Sequence, residues 1–138
     1  MTTKITVETL VSVSPGEAWR VYTSPDAITQ WNFASPEWHC PRAVVDLRVG
    51  GRHCARMEAK DGSMGFDYEG AYEAVDAERS LILRLDDGRL VHTTFDPEAD
   101  STRVRTVFDA DPGAPTDMQR DGWQAILDNY ADFVRQQS

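Results

Sequence analysis

Cysteine, positive charge and long apolar runs are all scarce in this sequence, and each scarcity closes off a class of answer. Cys40 and Cys54 are its two cysteines, too few for a disulfide scaffold, so a hydrophobic core must carry the fold and both are expected as free thiols. Lys and Arg number 14 against 23 Asp and Glu, leaving a net charge of −9. The basic residues are scattered, which removes the electrostatic footing for a nucleic acid partner. No stretch approaches the roughly 20 apolar residues of a spanning helix, so no membrane partner is expected. The opening MTTKITVETLVSV alternates, where a secretion signal would show a charged segment, an apolar block and a cleavage site. A cytoplasmic location is expected. A nucleophile motif, a phosphate loop and a dinucleotide fingerprint are also missing. Arg48-Val-Gly-Gly-Arg52 has two glycines but joins strand to strand, without the helix N-terminus that holds phosphate. No cofactor is expected.

What is present suits one domain. The 138 residues, 41% apolar and 27% charged, are enough for a single core. Ile5 to Val13 reads as a strand, with Ile5, Val7, Thr9, Val11 and Val13 on one face at period two. Ser14, Pro15 and Glu17 spell a helix start, with a hydroxyl cap, a proline at the first helical position and a carboxylate three residues after the cap. That helix should reach about Tyr22. Ser24 and Pro25 repeat the start, for a second short helix toward Trp31. From Arg42 to Asp109 six further strands form an antiparallel meander, with turn chemistry at four of the five junctions: Gly50-Gly51, Asp61-Gly62, Asp87-Gly88 and Pro97 to Asp100. A two-residue turn at Gly50-Gly51 would pair Arg52 with Val49 and Cys54 with Leu47. Thr102, Val104, Thr106 and Phe108 alternate with Arg103, Arg105 and Asp109, so the sheet has one wet face and one covered face.

The C-terminal segment supplies the cover. After the breaker stretch DPGAP, Thr116 and Gln119 read as a capping box that opens a helix running to about Gln136. At 100° per residue, Gln119, Trp123, Ile126, Tyr130 and Phe133 form one stripe, with Asp121, Asp128, Asp132 and Arg135 opposite. The expected fold class is α+β, a helix-grip arrangement: a curved antiparallel sheet of about seven strands around a long C-terminal helix, with two short helices after strand one.

In this order of elements, the stretches W31-N-F, P41-R-A-V-V-D-L-R-V-G-G-R, M57-E-A-K-D-G-S-M-G-F-D-Y-E-G-A-Y, D87-G-R and Q119-R-D-G-W-Q-A-I-L-D-N-Y carry a resemblance. Over almost its whole length the chain resembles the bacterial single-domain members of the family named for the activator of the ninety-kilodalton heat-shock protein's ATPase, within the START-like, or SRPBCC, superfamily. The resemblance implies the helix-grip fold. Its functional implication is broad, because the fold is shared by lipid carriers, hormone receptors, cyclases and co-chaperones.

The residues themselves point to a cavity between the helix and the sheet. Gly122 costs roughly 1 kcal/mol of helix stability relative to alanine, which close approach of a neighbour would offset. Gln119 sets an amide in the middle of an apolar stripe, where it needs a partner. On the inward strand faces, His53, Tyr68, Tyr72 and Gln119 would supply polar tips. Met57, Phe66, Val91, Phe95, Val104 and Phe108 would supply apolar wall, joined by Trp123, Ile126 and Tyr130 from the helix. Trp31 and Trp38 lie in a turn-rich segment that would form a lid, cap the sheet edge, or make a homodimer contact. Each tyrosine, and His53, has the plainer reading of an ordinary core or rim residue.

His39-Cys40 and His53-Cys54 are not read as a metal site. In the register above, Cys40 stands seven residues from the partner of Cys54, roughly 23 Å at about 3.3 Å per residue, and four convergent ligands are needed. Asp86 and Asp87 are solvated turn carboxylates. The reading these features favour is a binding domain for a small apolar or amphipathic molecule. Two alternatives stand beside it. A chaperone-binding module follows from the family resemblance, although strand one starts within a few residues of Met1 and leaves no room for the separate chaperone-engaging domain of the eukaryotic activator. An enzyme of the cyclase or hydrolase kind would use the same cavity, with His53, Tyr68 or an acidic neighbour moving a proton.

Overall fold

The computed structural model describes residues 3–137. Strand β1 (Lys4–Val11) is followed by two short helices, α1 (Pro15–Thr23) and α2 (Pro25–Trp31). Six strands come next: β2 (Trp38–Val45), β3 (Arg52–Ala59), β4 (Gly65–Asp76), β5 (Ser80–Leu85), β6 (Leu90–Glu98) and β7 (Ser101–Asp109). The chain closes with α3 (Thr116–Gln137). All pairings are antiparallel. The sheet order β1-β7-β6-β5-β4-β3-β2 is a meander with the first strand laid against the last. This is the expected helix-grip architecture, a seven-stranded curled sheet with two short helices after strand one.

Local chemistry explains the element ends. Ser14 caps α1 by accepting the Glu17 N–H at 3.3 Å, while the Glu17 carboxylate turns to Arg20 instead of the cap. No capping box opens α3, because the Gln119 side chain reaches back past Thr116 to the preceding loop. Two glycines are steric necessities. A Cβ at Gly51 would stand 2.0 Å from the Asp46 carbonyl oxygen, and one at Gly70 would stand 2.2 Å from the Arg84 carbonyl oxygen.

The register between β2 and β3 differs from the expected one. Cys54 faces Val44 and His53 faces Val45, so the connection is a five-residue loop closed by the Asp46 N–H on the Arg52 carbonyl at 2.9 Å. The reason lies in β4: the Gly50 N–H bonds the Tyr72 carbonyl at 2.8 Å and the Tyr72 N–H bonds Gly51 at 3.0 Å. The two glycines are thus consumed as a partner for the neighbouring strand instead of forming a tight turn. Cys40 and the partner of Cys54 are four positions apart, about 13 Å of strand, with a bulge between His39 and Arg42. Both thiols are free, with Cys40 buried.

Helix α3 packs along β1, at one edge of the sheet, and against α1 and α2. Its most buried side chains are Leu127, Tyr130, Ala131 and Val134, so the inward stripe is rotated from the one centred on Ile126. The Gln124 amide bonds both the N–H and the C=O of Glu8 at 3.3 and 3.0 Å, which occupies a strand edge that would otherwise template aggregation. An aromatic cluster fills the α1/α2 side. Tyr22 lies 5.4 Å from Phe95, 5.5 Å from Trp31 and 5.5 Å from Tyr130 between ring centroids. Tyr130 donates its buried hydroxyl to the Ala18 carbonyl at 2.6 Å.

Candidate functional site

Because α3 lies over β1, it does not reach across the concave face of the strands at the other side of the sheet. A hollow of about 280 Å³ remains there, enclosed by strands β3 to β6, α1, α2 and the first half of α3, with Val7 of β1 and Thr106 of β7 completing the lining. His53 and Met57 come from β3, and Phe66, Tyr68 and Tyr72 from β4. Their positions follow from period two in each strand, with the pairings Met57 to Phe66 and Ala55 to Tyr68 setting the two rows side by side. Leu81, Leu83 and Val91 extend the apolar wall. Trp31, Trp123, Ile126 and Leu127 close it from the helices.

Nine of the residues singled out in the sequence therefore meet at the hollow: Trp31, His53, Met57, Phe66, Tyr68, Tyr72, Val91, Trp123 and Ile126. The others lie elsewhere. Phe95, Val104, Phe108 and Tyr130 are packed into the core, with Phe108 stacked on the far side of Trp123 at 3.9 Å. Trp38 packs on Phe66 at 6.0 Å and does not line the hollow. Trp31 is no exposed lid, being 5% accessible with its indole N–H on the Val21 carbonyl at 3.1 Å. Gln119 is spent on the DPGAP loop: its oxygen accepts the Asp111 N–H at 2.7 Å, and its nitrogen donates to Asp111 and Ala114 carbonyls at 2.9 Å each. Gly122 has no neighbour within 4 Å of a Cβ built on it, so close approach does not account for it, and it stands outside the wall.

Sequence reasoning missed the floor. Tyr22 of α1 shares a hydrogen with Thr93 Oγ1 at 3.1 Å, and Thr93 with Thr106 Oγ1 at 3.0 Å. All three line the hollow. The signal was available, since Thr93 falls between Val91 and Phe95 on the inward face of β6, and Thr106 between Val104 and Phe108 on β7. A threonine on a covered face needs a partner, and here the threonines provide one for each other. Arg89, also missed, lines the hollow with a side chain 27% exposed, and Phe66 lines it while largely exposed, so both stand where the hollow opens to solvent.

The electrostatics of the wall are those of a neutral enclosure. His53 Nδ1 lies 3.0 Å from the Tyr72 hydroxyl, and burial holds its pKa down to about 4, so the imidazole is uncharged at neutral pH. Burial pushes the phenols of Tyr68 and Tyr72 well above their ordinary range, and that of Tyr22 upward despite its bonds to threonine. They remain protonated donors. Among the described residues Arg89 is the one charged side chain on the wall, paired through Nε with Asp87 Oδ2 at 2.7 Å. No carboxylate and no thiol line the hollow among the described residues. The arrangement can hold an apolar body, orient it by phenol and imidazole hydrogen bonds, and meet a polar end at Arg89.

The model of the activator of Hsp90 ATPase homolog 1-like protein family matches residues 12–135. The solution structure of the AHSA1-like protein from Aeromonas hydrophila is 41% identical and superposes with a TM-score of 0.91, covering 97% of this chain and 93% of that one. A protein from Cytophaga hutchinsonii, also solved in solution, is 38% identical with a TM-score of 0.84 and the same coverage. CalU16 from Micromonospora echinospora shares the fold at 18% identity, TM-score 0.73, with 96% of this chain and 76% of that chain covered. No curated protein matches the chain. No helix among the described residues is long and apolar enough to cross a membrane.

Proposed function

The chain belongs to the activator of Hsp90 ATPase homolog 1-like family, and we propose that it acts as a receptor or carrier that holds one small apolar or amphipathic molecule between α3 and the sheet. The observation that carries this reading is the hollow of about 280 Å³ with apolar walls and a few convergent polar groups, the usual make-up of a small-molecule site. An apolar cavity of about 150 Å³ accepts one benzene, so this one has room for about two rings or an aliphatic chain of similar bulk. Neutral walls favour holding over chemistry. Acid and base catalysis wants a group whose pKa sits near the working pH, whereas burial drives His53 and the tyrosines away from neutrality in opposite directions.

The test uses the neutral probe N-phenyl-1-naphthylamine, with native mass spectrometry of the purified protein to identify any molecule retained from the cell. Wild type is expected to bind one probe per chain and quench tryptophan emission, because Trp31 and Trp123 stand in the wall. Leu83→Trp, which grows a side chain into the hollow, should keep the cooperative unfolding transition and lose the probe. Undiminished probe binding by folded Leu83→Trp would defeat the reading. Recovery of the chaperone in a pull-down, with a raised ATPase rate, would replace it by the protein-binding one.

A further inference from the structure

Resting on that reading, we infer that the occupant is an anionic amphiphile, a carboxylate on a hydrophobic body of about two rings, whose head group docks on Arg89 at the mouth of the hollow. Arg89 precedes β6 and follows the turn at Asp86 to Gly88. Two bonds hold it there: its backbone N–H donates to Asp87 Oδ1 at 3.1 Å and its Nε to Asp87 Oδ2 at 2.7 Å. The ion pair therefore uses only Nε. Among the described residues neither terminal guanidinium nitrogen donates a hydrogen bond, although the side chain is only 27% exposed. Such half-buried donors are served by water while the mouth is open. A ligand that closes the mouth displaces that water, and an acceptor must then come from the ligand.

The chemistry narrows the acceptor. A guanidinium is charged at every accessible pH and presents its terminal N–H groups as a planar fork that fits two carboxylate oxygens. Tyr68, a polar group on the same wall, lies within electrostatic reach of Arg89, and no hydrogen-bond partner occupies its hydroxyl among the described residues. It is placed as a second donor. The remaining charges nearby do not compete for the fork. Asp87 also reaches Tyr68, but it is already engaged by Nε and is 54% exposed, so its repulsion of an incoming anion acts through water and is weakened. Asp109 is held by the Lys4 ammonium and accepts the Leu90 N–H at 2.9 Å. The chain as a whole is strongly acidic, so a positive fork at the opening of an otherwise neutral hollow is a local feature and not a consequence of general basicity.

The experiment compares biphenyl-4-carboxylate with its neutral isostere biphenyl-4-carboxamide by calorimetry at neutral pH. Wild type should prefer the carboxylate. Arg89→Met, which keeps the aliphatic stem, should weaken the carboxylate about ten- to a hundredfold, the size of a lost hydrogen bond between charged groups, and leave the carboxamide within about twofold. Asp87→Asn breaks the turn's ion pair but leaves the guanidinium, and should hold or raise carboxylate affinity. Tyr68→Phe should cost the carboxylate a smaller factor. Equal affinities in wild type, equal losses for both probes in Arg89→Met, or an Asp87→Asn loss as large as that of Arg89→Met would overturn the inference while leaving the hollow as a binding site. Failure of both probes to bind wild type would overturn the inference together with the reading it rests on.

Discussion

Holding an imidazole neutral inside a wall has a consequence for stability that can be measured without knowing any ligand. Burial lowers the pKa of His53 from 6.5 to about 4, while in the unfolded chain it regains its ordinary value. Between those two values the unfolded state binds the proton and the folded state does not, so acid favours unfolding. The stability is fully present above about pH 6.5 and is lost progressively as pH falls toward 4. At about 1.4 kcal/mol for each tenfold change in proton affinity, the ceiling is about 3 kcal/mol, of which about 2 kcal/mol is gone by about pH 5. Water entering the open hollow would reduce this by up to about half. The assay is urea unfolding of wild type and His53→Gln at several pH values from about 7.5 to about 5. Glutamine can still bond Tyr72 and carries no charge, and the surface carboxylates titrate alike in both proteins. Their difference isolates His53. Wild type should lose about 1 to 2 kcal/mol more than the variant over this range; a difference that stays within about 0.5 kcal/mol would refute a desolvated, neutral His53.

Three further substitutions test the placement of residues around the hollow. Gly122→Ala should stabilise the protein by about 0.5 to 1 kcal/mol in thermal or urea unfolding, because the added methyl meets open space; a loss of similar size would revive a close neighbour. Gln119→Leu should destabilise by about 1 to 3 kcal/mol, since it strands the Asp111 N–H and frees the DPGAP loop, yet leave naphthylamine binding unchanged; a change in affinity would bring that side chain back to the wall. Tyr130→Phe should cost about 1 to 2 kcal/mol through loss of the buried hydrogen bond to the Ala18 carbonyl, read as a shifted urea midpoint with an unchanged slope.

Alternation and turn chemistry made most of the architecture legible. Val7 and Val11 on β1, or Val104 and Phe108 on β7, announce the covered face of a strand, and Ser14-Pro15 announces a helix start, because both signals are local. The register of β2 on β3 was not legible for the converse reason: Gly50 and Gly51 look like a two-residue turn, but their backbone is claimed by Tyr72, which is distant in sequence. The same distinction separates the site residues. His53, Tyr68 and Tyr72 could be placed from period two alone. Gln119 could not, since a buried glutamine declares only that it needs partners and its partners here are the loop before its own helix. Phe95 and Tyr130 point inward as expected, but whether an inward ring lines a hollow or fills the core depends on where α3 crosses the sheet, which pattern does not encode. Arg89 was passed over because it stands between a turn and a strand, where an exposed charge is ordinary.

The position of α3 is also what makes the hollow costly. A void in a packed core costs roughly 24 cal/mol for each Å³ left empty, so 280 Å³ kept dry would cost on the order of 6 to 7 kcal/mol, comparable with the whole stability of a small domain. Two features reduce that cost here. The hollow opens to solvent where the exposed parts of Phe66 and Arg89 line it, so water can enter, and the polar atoms of the floor are paired among themselves, Tyr22 with Thr93 and Thr93 with Thr106, so the empty state strands no hydrogen-bonding group there. The His53–Tyr72 pair does the same for the side wall. What water cannot satisfy is the apolar surface of Leu81, Leu83, Val91, Trp123 and Ile126, and that deficit is the driving force left over for an apolar occupant. A ligand binding the folded state alone would recover part of it as stability, in proportion to the logarithm of its concentration over its dissociation constant. The paired floor therefore makes the empty form tolerable, while the unpaired apolar wall makes the filled form preferable.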